Sequence, residues 1–534
     1  MKQLTALLIV FLSLASFPAQ SADRYLNIHS GSEPETIDPG MASGNVEHRV
    51  LTSMFEGLTI YHPQKMTAVP GIAERWTVSP DGKTYTFFLR NNAQWSDGTP
   101  IAAQDFVYSY ERMLNPNTGA HFAHHLFILK GAQDYNAGKT KDFQTVGVKA
   151  RDPHTLVLTL NHPAPYFLYM TSHYPFFPVP QQAIAKHDNR WTRPENIVVS
   201  GPFMLKEWVP QKTITVVKNH RYWNASAIKA SGINFLPIED NETALKMFEG
   251  GQLDVLWNLP VSKAPALRSH PDYRSAPQLS SYYYWLNTQD PKLKDVRVRT
   301  ALALAIDRKT LTEKYLHGLH SPSGNYSVPG IPGYTPLSGF TFDPVKAKAL
   351  LKEAGVDPAS LQIEILYNTM DLHKSIAEVI QQMWRQNLGV NATLHNEEWK
   401  SYLKDMQQKN FMICRAAWGG DFPDAMTFLE NMTSASPQNY SNWSSAKYDA
   451  LINQAQNESN VAKRNQQLHD AEAVLIEEVP LVPIMQQNKD FMIKPYVKGY
   501  YSNSLDVHPW QFVFIDGDDT TAPWQSIRKQ FKKG

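Results

Sequence analysis

Apolar runs alternate with helix-spaced apolar residues between residues 361 and 414. Leu361–Leu366 and Val390–His395 alternate as strands, and Phe411–Cys414 is an apolar run of strand length. A helical pattern covers Glu398–Gln407. Another lies between the first two strands, at Ile376, Val379, Ile380, Met383 and Trp384. This strand–helix–strand–helix–strand order predicts a parallel sheet.

Candidate binding chemistry follows the last of these strands. Gly419–Gly420 is expected to stop the strand and free the backbone. Arg415, Trp418 and Asp421 would then lie where the strand leaves its sheet, and ligands of open α/β sheets bind in crevices at strand ends. A carboxylate and a guanidinium flanking an aromatic ring suit a zwitterion. The alternative is an ordinary strand and turn with a surface salt bridge.

The remaining pattern is mixed α/β. Asp81–Gly82 predicts a hairpin turn, Asp105 the start of a helix, and Asp295 the cap of a helix running to about Tyr315. Asp343, with Pro344 after it, predicts the start of another helix. Further strands are predicted at Tyr25–His29, Thr155–Leu160, Ile214–Lys218, Ile233–Pro237, Leu253–Trp257 and Tyr282–Leu286.

The first 22 residues have the pattern of a secretory signal peptide. Lys2 precedes the apolar run Leu4–Leu14, and small residues follow. We expect cleavage after Ser21 or Ala22. No cysteine lies near that position, so a lipid anchor is not expected. The sequence predicts a periplasmic protein that does not insert into the membrane.

Composition and net charge limit the kinds of partner that the protein is expected to bind. The 534 residues carry a formal net charge of +1, which does not suggest a nucleic acid or an anionic membrane. A chain of this length should hold more than one domain. Its single cysteine, Cys414, excludes an internal disulfide and is expected to be a small buried hydrophobe.

A longer pattern resembles a known family. It comprises Ala73–Glu74, Trp76, Ser79, Asp81–Gly82, Tyr85, Phe87, Leu89–Arg90, Trp95, Asp97–Gly98, Pro100, Ala103, Asp105–Phe106 and Ser109. These residues and their spacing resemble the signature of extracellular solute-binding family 5, which includes peptide and nickel receptors of ABC importers. The likeness extends from about Tyr25 to Tyr500.

The resemblance implies an α/β fold of the periplasmic binding protein type II-like class, cluster C. Two α/β lobes would enclose a ligand cleft, and an additional smaller domain would be inserted. The implied first lobe is discontinuous and comprises residues 23–55, 181–279 and 495–534. Residues 56–180 would form the inserted domain, and residues 280–494 the second lobe.

The resemblance also implies a binding site. Asp421 matches the aspartate that binds the α-amino group of a peptide in this family. The backbones of Ala417–Trp418–Gly419 and Gly44–Asn45 match the two segments that pair with an extended peptide. Such pairing reads the main chain and tolerates different sequences.

Other side chains match positions around the ligand. Trp399, Trp418 and Tyr283 match aromatic walls, for which core packing is the alternative. Arg415 and His373 match positions available to a ligand carboxylate, although His373 could instead be exposed. Trp257, Asn258 and Phe122 also match positions lining the site.

The sequence departs from the pattern of the family's oligopeptide binder in several places. Ser280 and Gly419 occupy the positions of two disulfide-forming cysteines. A glutamate is replaced by Ser43, a tyrosine by Phe122, and an arginine by Met406. Because of these changes, the sequence does not determine how a peptide carboxylate is bound or which peptide length is preferred.

The sequence thus predicts a monomeric receptor that encloses short peptides and delivers them to a membrane permease. The alternatives are a receptor for murein tripeptide and, through His121, His124 and His125, a nickel or haem receptor. No G-x-S-x-G, H-E-x-x-H or paired-carboxylate motif is present, so an enzyme is not expected. No metal or other cofactor is expected.

Overall fold

The computed structural model describes residues 24–42, 44–458 and 460–516. The side chains of residues 261, 371, 399 and 400 lie outside this description. The predicted signal peptide, Ser43 and the basic C-terminal residues also lie outside it. Among the described residues, no helix has the length and apolar character needed to cross a membrane.

The strands are short in the first half of the chain and longest at β12 and β17. They are β1 (Leu26–His29), β2 (Thr59–Tyr61), β3 (Ala68–Pro70), β4 (Ala73–Val78), β5 (Thr84–Leu89), β6 (Val148–Asp152), β7 (Thr155–Thr159), β8 (Phe203–Val209), β9 (Thr213–Lys218), β10 (Gly232–Leu236), β11 (Val255–Leu256), β12 (Tyr273–Leu286), β13 (Ser321–Pro322), β14 (Gln362–Asn368), β15 (Asn391–Glu397), β16 (Ile413–Gly419), β17 (Leu481–Ile493), β18 (Val497–Lys498) and β19 (Phe514–Ile515).

The α-helices lie between these strands. They are α1 (Asn45–Met54), α2 (Ala103–Leu114), α3 (Ala132–Asn136), α4 (Phe167–Met170), α5 (Gln181–His187), α6 (Asn241–Glu249), α7 (Ala264–Leu267), α8 (Val296–Leu304), α9 (Arg308–Thr310), α10 (Pro344–Glu353), α11 (Asp371–Leu388), α12 (Trp399–Gln408), α13 (Met426–Leu429), α14 (Ala446–Asn457) and α15 (Val461–Glu478).

One large mixed sheet runs through the molecule. Its strand order is β15-β14-β16-β12-β17-β11-β1-β10-β9-β8, and β13 pairs with β17. The predicted parallel unit is confirmed, because β14 is parallel to both β15 and β16. The long strands β12 and β17 connect this unit to the part of the sheet around β1. A smaller antiparallel sheet has the order β4-β5-β7-β6 and contains the predicted hairpin. The domain boundaries given above stay predictions.

Local caps explain several helix ends. The Asp343 side chain accepts a hydrogen bond from the backbone N of Lys346 at 2.9 Å, and Pro344 opens α10 as predicted. Gly389 ends α11 with a left-handed φ of 81°. The predicted helix capped by Asp295 is confirmed, but its predicted end at about Tyr315 is wrong, because α8 ends at Leu304. Asp307 then caps a new helix by accepting from the backbone N of Thr310 at 3.0 Å.

Strand β16 also differs from the prediction. It begins at Ile413 and continues to Gly419, so Arg415 and Trp418 lie within the strand rather than beyond it. The reason is its neighbour β12, with which it pairs antiparallel from Leu286↔Ile413 to Ser280↔Gly419. The strand ends at the glycine pair, as predicted, but it includes Arg415 and Trp418. Only Asp421 of the three candidate residues lies past the strand.

Strand β16 separates two apolar cores. Cys414 and Ala416 pack in one core, whereas Ile413 and, partly, Ala417 pack in the other. Cys414 is fully buried, and this burial raises the pKa of its thiol to about 12. Its predicted role as a buried hydrophobe is confirmed.

Candidate functional site

Asp421 lies just beyond β16, between two cavities. It lines one cavity of about 350 Å³ and another of about 110 Å³, here called the first and second cavities. Its backbone N donates to Oγ1 of Thr427 at 3.0 Å, which orients the turn. Burial raises the pKa of the Asp421 carboxyl to about 7. No ion pair or hydrogen bond reaches this carboxylate within the described chain. The surface salt bridge considered above is therefore not formed.

Residues of both predicted backbone segments line the second cavity. Asn45, Gly419 and Asp421 all line it. Gly44 is extended, with φ −128° and ψ 164°, but Asn45 is already the first residue of α1. A Cβ on Gly419 would meet no atom within 4 Å, so open space lies beside this backbone. Ser280 faces Gly419 in the strand register.

Gly44 lies close to the end of the Glu47 side chain. A Cβ at this position would lie 2.1 Å from Oε2 of Glu47. The other oxygen of Glu47 accepts a hydrogen bond from the backbone N of Glu35 at 2.8 Å. The small residue therefore lets the Glu47 carboxylate tie the start of α1 to the preceding loop.

The first cavity has aromatic and imidazole walls. Half-buried Trp418 lines it, and its indole Nε1 is buried without a hydrogen-bond partner among the residues that the structure describes. His124 and His125 line another side, with their ring centroids 4.6 Å apart. Burial lowers the pKa of His125 well below its usual value, so its imidazole is neutral.

Phe122 lies with these histidines but does not line either of the two cavities described. Its ring lies 4.7 Å from that of His125 and 5.9 Å from that of Tyr174. His121 is exposed. Among the described residues, no group of three or more His, Cys, Asp or Glu side chains is arranged to hold a metal ion.

Arg415 and His373 lie on the other face of β16. Nη1 of Arg415 donates to Oδ1 of Asn368 at 3.2 Å, and the guanidinium carbon lies 4.9 Å from the ring centroid of Tyr282. Because strand residues alternate, Arg415 and Trp418 face opposite sides of the sheet. The expected carboxylate and guanidinium flanking one aromatic ring are therefore not found.

His373 is buried, and the exposed alternative is wrong. It is 3% exposed, and its Nδ1 lies 3.2 Å from the hydroxyl of Tyr282. Burial, and then the nearby charge of Arg415, lower the pKa of His373 to about 2. Its imidazole is neutral at physiological pH, so it brings no positive charge to a ligand carboxylate.

Two predicted aromatic walls have different outcomes. Tyr283 is 2% exposed and packs against Tyr326 and Trp285, with ring centroids 4.9 and 5.0 Å away. Tyr283 therefore packs in the core, which was the alternative to a place in the wall of the site. Trp399 begins α12, and its side chain lies outside the described residues.

Trp257 and Asn258 belong to a charged cluster that sequence reasoning missed. Asp506 of this cluster lines the second cavity. Oδ1 of Asn258 accepts from Nζ of Lys489 at 3.0 Å, and the guanidinium of Arg49 lies 3.5 Å from the Trp257 ring centroid. Nothing in the sequence links these residues, because they lie in four distant segments.

A family match covers most of the chain. The model of the bacterial extracellular solute-binding proteins, family 5 Middle, matches residues 67–440. The chain belongs to this family.

Members of family 5 match this chain over nearly its full length. The probable deoxycholate-binding periplasmic protein YgiS of Escherichia coli is 37% identical, and the match covers 90% of this chain and 91% of the YgiS chain. The periplasmic murein peptide-binding protein MppA of Escherichia coli is 38% identical, over 89% of this chain and 90% of its own.

A solved family 5 structure has the same fold. The periplasmic oligopeptide-binding protein/oligopeptide ABC transporter OppAIV of Borrelia burgdorferi superposes with a TM-score of 0.83 at 35% identity. The match covers 92% of this chain and 99% of that chain. The expected binding-protein fold is therefore confirmed.

Proposed function

We propose that this protein is a periplasmic receptor of a peptide ABC importer, which encloses short peptides and delivers them to a membrane permease. The observation that carries the proposal is the unpaired carboxylate of Asp421, which lines two cavities at the end of a sheet strand in a family 5 protein. An enclosed ammonium requires such a partner, because an unpaired buried charge costs several kcal/mol.

The backbone around Asp421 suits an extended peptide. Open space lies beside Gly419, the last residue of β16. Gly44 has an extended backbone and precedes Asn45, which lines the second cavity. Hydrogen bonds to the peptide main chain at these two places would hold peptides of different sequence. Neither predicted residue is assigned to the ligand carboxylate, since His373 is neutral and Arg415 lies on the face of β16 opposite Trp418.

Family membership and the pattern of the first 22 residues support the remaining elements of the proposal. The receptor acts as a monomer, carries out no chemical reaction on its ligand, and closes its two lobes around it by a hinge motion. The signal peptide is removed after Ser21 or Ala22, and no lipid anchor is attached.

Two relatives indicate which other ligands must be tested. A murein tripeptide has a free amine that would use the same Asp421 carboxylate. Deoxycholate is an anion without an amine, and the ionised carboxylate of Asp421 would repel it. The site therefore favours an amine-bearing ligand over a bile acid.

Mass spectrometry of the small molecules released on denaturing the protein purified from a periplasmic extract tests the proposal. We expect a mixed set of short peptides with free amino termini. A single peptide containing diaminopimelate would identify the murein receptor instead. Release of a bile acid or of a bound metal, with no peptide, would overturn the proposal.

A further inference from the structure

A second unpaired carboxylate faces Asp421 in the first cavity. Glu430 follows α13, is half-buried and lines this cavity. No hydrogen bond or ion pair to its carboxylate is formed within the described residues. The nearby cation does not neutralise it, because Arg464 donates two hydrogen bonds to Asp424, at 2.9 and 2.8 Å.

Ionisation of both carboxyl groups is unfavourable where they lie. Burial, followed by the charges of Asp421 and Asp424, raises the pKa of Glu430 to about 8. A folded protein keeps such an arrangement at a cost in stability, and groups of this kind cluster at functional sites. A cation between the two carboxylates would remove the cost.

An independent feature of the same cavity also indicates a ligand. His125 is 7% exposed and lines the cavity, and its ring makes no hydrogen bond within the described chain. Buried polar groups are normally hydrogen-bonded, so this imidazole lacks a partner that a ligand can provide. The buried Nε1 of Trp418 lacks one as well.

The walls determine what kind of cation fits. No third ligating side chain is arranged with the two carboxylates for a metal ion among the described residues. Aromatic rings contribute much of the lining, and those of Tyr166 and Phe422 stack 4.3 Å apart. An ammonium at the end of an aliphatic stem suits such walls, because the stem buries apolar surface while the ammonium meets a carboxylate.

We propose that the first cavity binds the side chain of a peptide's first residue when that side chain carries an amine. Asp421 then binds the α-ammonium group, and Glu430 binds the side-chain ammonium group. The preferred ligands are peptides that begin with a diamino acid, such as lysine or ornithine. This inference rests on the proposed function, because it assumes that Asp421 holds the amino terminus.

Isothermal titration calorimetry at pH 8 with two matched tripeptides tests the inference. Lys-Ala-Ala carries the side-chain ammonium, and norleucyl-Ala-Ala has an uncharged side chain of similar length. We expect the full-length protein to bind the lysyl peptide at least about tenfold more tightly. Glu430→Gln should abolish this difference. Glu477→Gln, at an exposed carboxylate paired with Lys447, should retain it.

A length series in the unaltered protein gives a second test that does not depend on any variant. Ornithyl and diaminopropionyl tripeptides shorten the amine stem stepwise, and we expect the preference to decline as the ammonium group is withdrawn from Glu430. Equal affinities of the unaltered protein for the lysyl and norleucyl peptides would overturn the inference. In that case, weaker binding of both peptides by Asp421→Asn would still support the proposed function. Failure of the protein to bind either peptide would overturn both.

Discussion

Trp257 donates a hydrogen bond from its indole Nε1 to Oδ2 of Asp506 at 2.6 Å. The same carboxylate oxygen lies 3.3 Å from Nη2 of Arg49 and 3.9 Å from Nζ of Lys489. Its other oxygen lies 2.9 Å from Nε2 of His508. One buried carboxylate thus connects α1, β17 and the end of β11 beside the second cavity.

Replacing this carboxylate should destabilise the fold. Asp506→Asn leaves the buried cations Arg49 and Lys489 without their counter-charge, so we expect the free energy of unfolding to fall by about 3–5 kcal/mol. Burial already lowers the pKa of Lys489 to about 7, and the loss of Asp506 should lower it further. Because a neutral lysine relieves the unpaired charge, the destabilisation should be larger at pH 6 than at pH 8. Urea-induced unfolding measures both values.

The control for this variant is Asp134→Asn, since Asp134 is exposed and pairs with the exposed Lys139. Its free energy of unfolding should change by no more than about 0.5 kcal/mol. An equally small change in Asp506→Asn would show that the charged cluster does not stabilise the protein.

Asp421→Asn should weaken the binding of all peptides that have a free amino terminus. The variant keeps the shape of the side chain but removes the charge, and a hydrogen bond to a charged group contributes roughly 1.5–3 kcal/mol. We therefore expect an affinity loss of about tenfold or more for Ala-Ala-Ala, measured by calorimetry. The N-acetylated peptide should bind weakly to both proteins. A loss below about threefold would disprove the amino-group role, and exposed Asp470→Asn provides the matched control.

Peptide affinity should depend on pH through Asp421. Its pKa of about 7 in the ligand-free protein means that the carboxyl is mostly protonated below this pH, and only the ionised form pairs with an ammonium. Affinity for Ala-Ala-Ala should therefore rise as the pH increases from 5.5 to about 7.5. It should fall again above about 8, where the peptide amine loses its proton. Titrations at constant ionic strength would show this maximum, and a pH-independent affinity below pH 7 would contradict the assignment.

Arg415→Gln should leave peptide affinity nearly unchanged. Arg415 lies on the face of β16 opposite Trp418 and donates to Asn368, so we expect the affinities for a tripeptide and for the same peptide with an amidated C-terminus to stay within about threefold. Calorimetry measures both affinities. A loss of about tenfold for the acid alone would show that Arg415 binds the ligand carboxylate.

Much of the local structure could be predicted because it depends on residues close in sequence. The Asp343 cap, the end of α11 at Gly389 and the hairpin at Asp81–Gly82 each involve only a few neighbouring residues. The extent of β16 could not be predicted in this way. Its last residues are held in the sheet by β12, whose Ser281 lies opposite Trp418 across a long separation in sequence.

The sequence by itself determined the family, the mixed α/β fold, the parallel β15–β14–β16 unit and the position of Asp421 just beyond a sheet strand. Only the tertiary structure placed Arg415 and Trp418 on opposite faces, buried Tyr283 and His373, and brought Glu430 and His125 to the cavity of Asp421. The physical reason is that caps and periodicity act within a few residues of the chain. Burial, electrostatic repulsion and the lining of a cavity depend on side chains that only the folded sheet brings together.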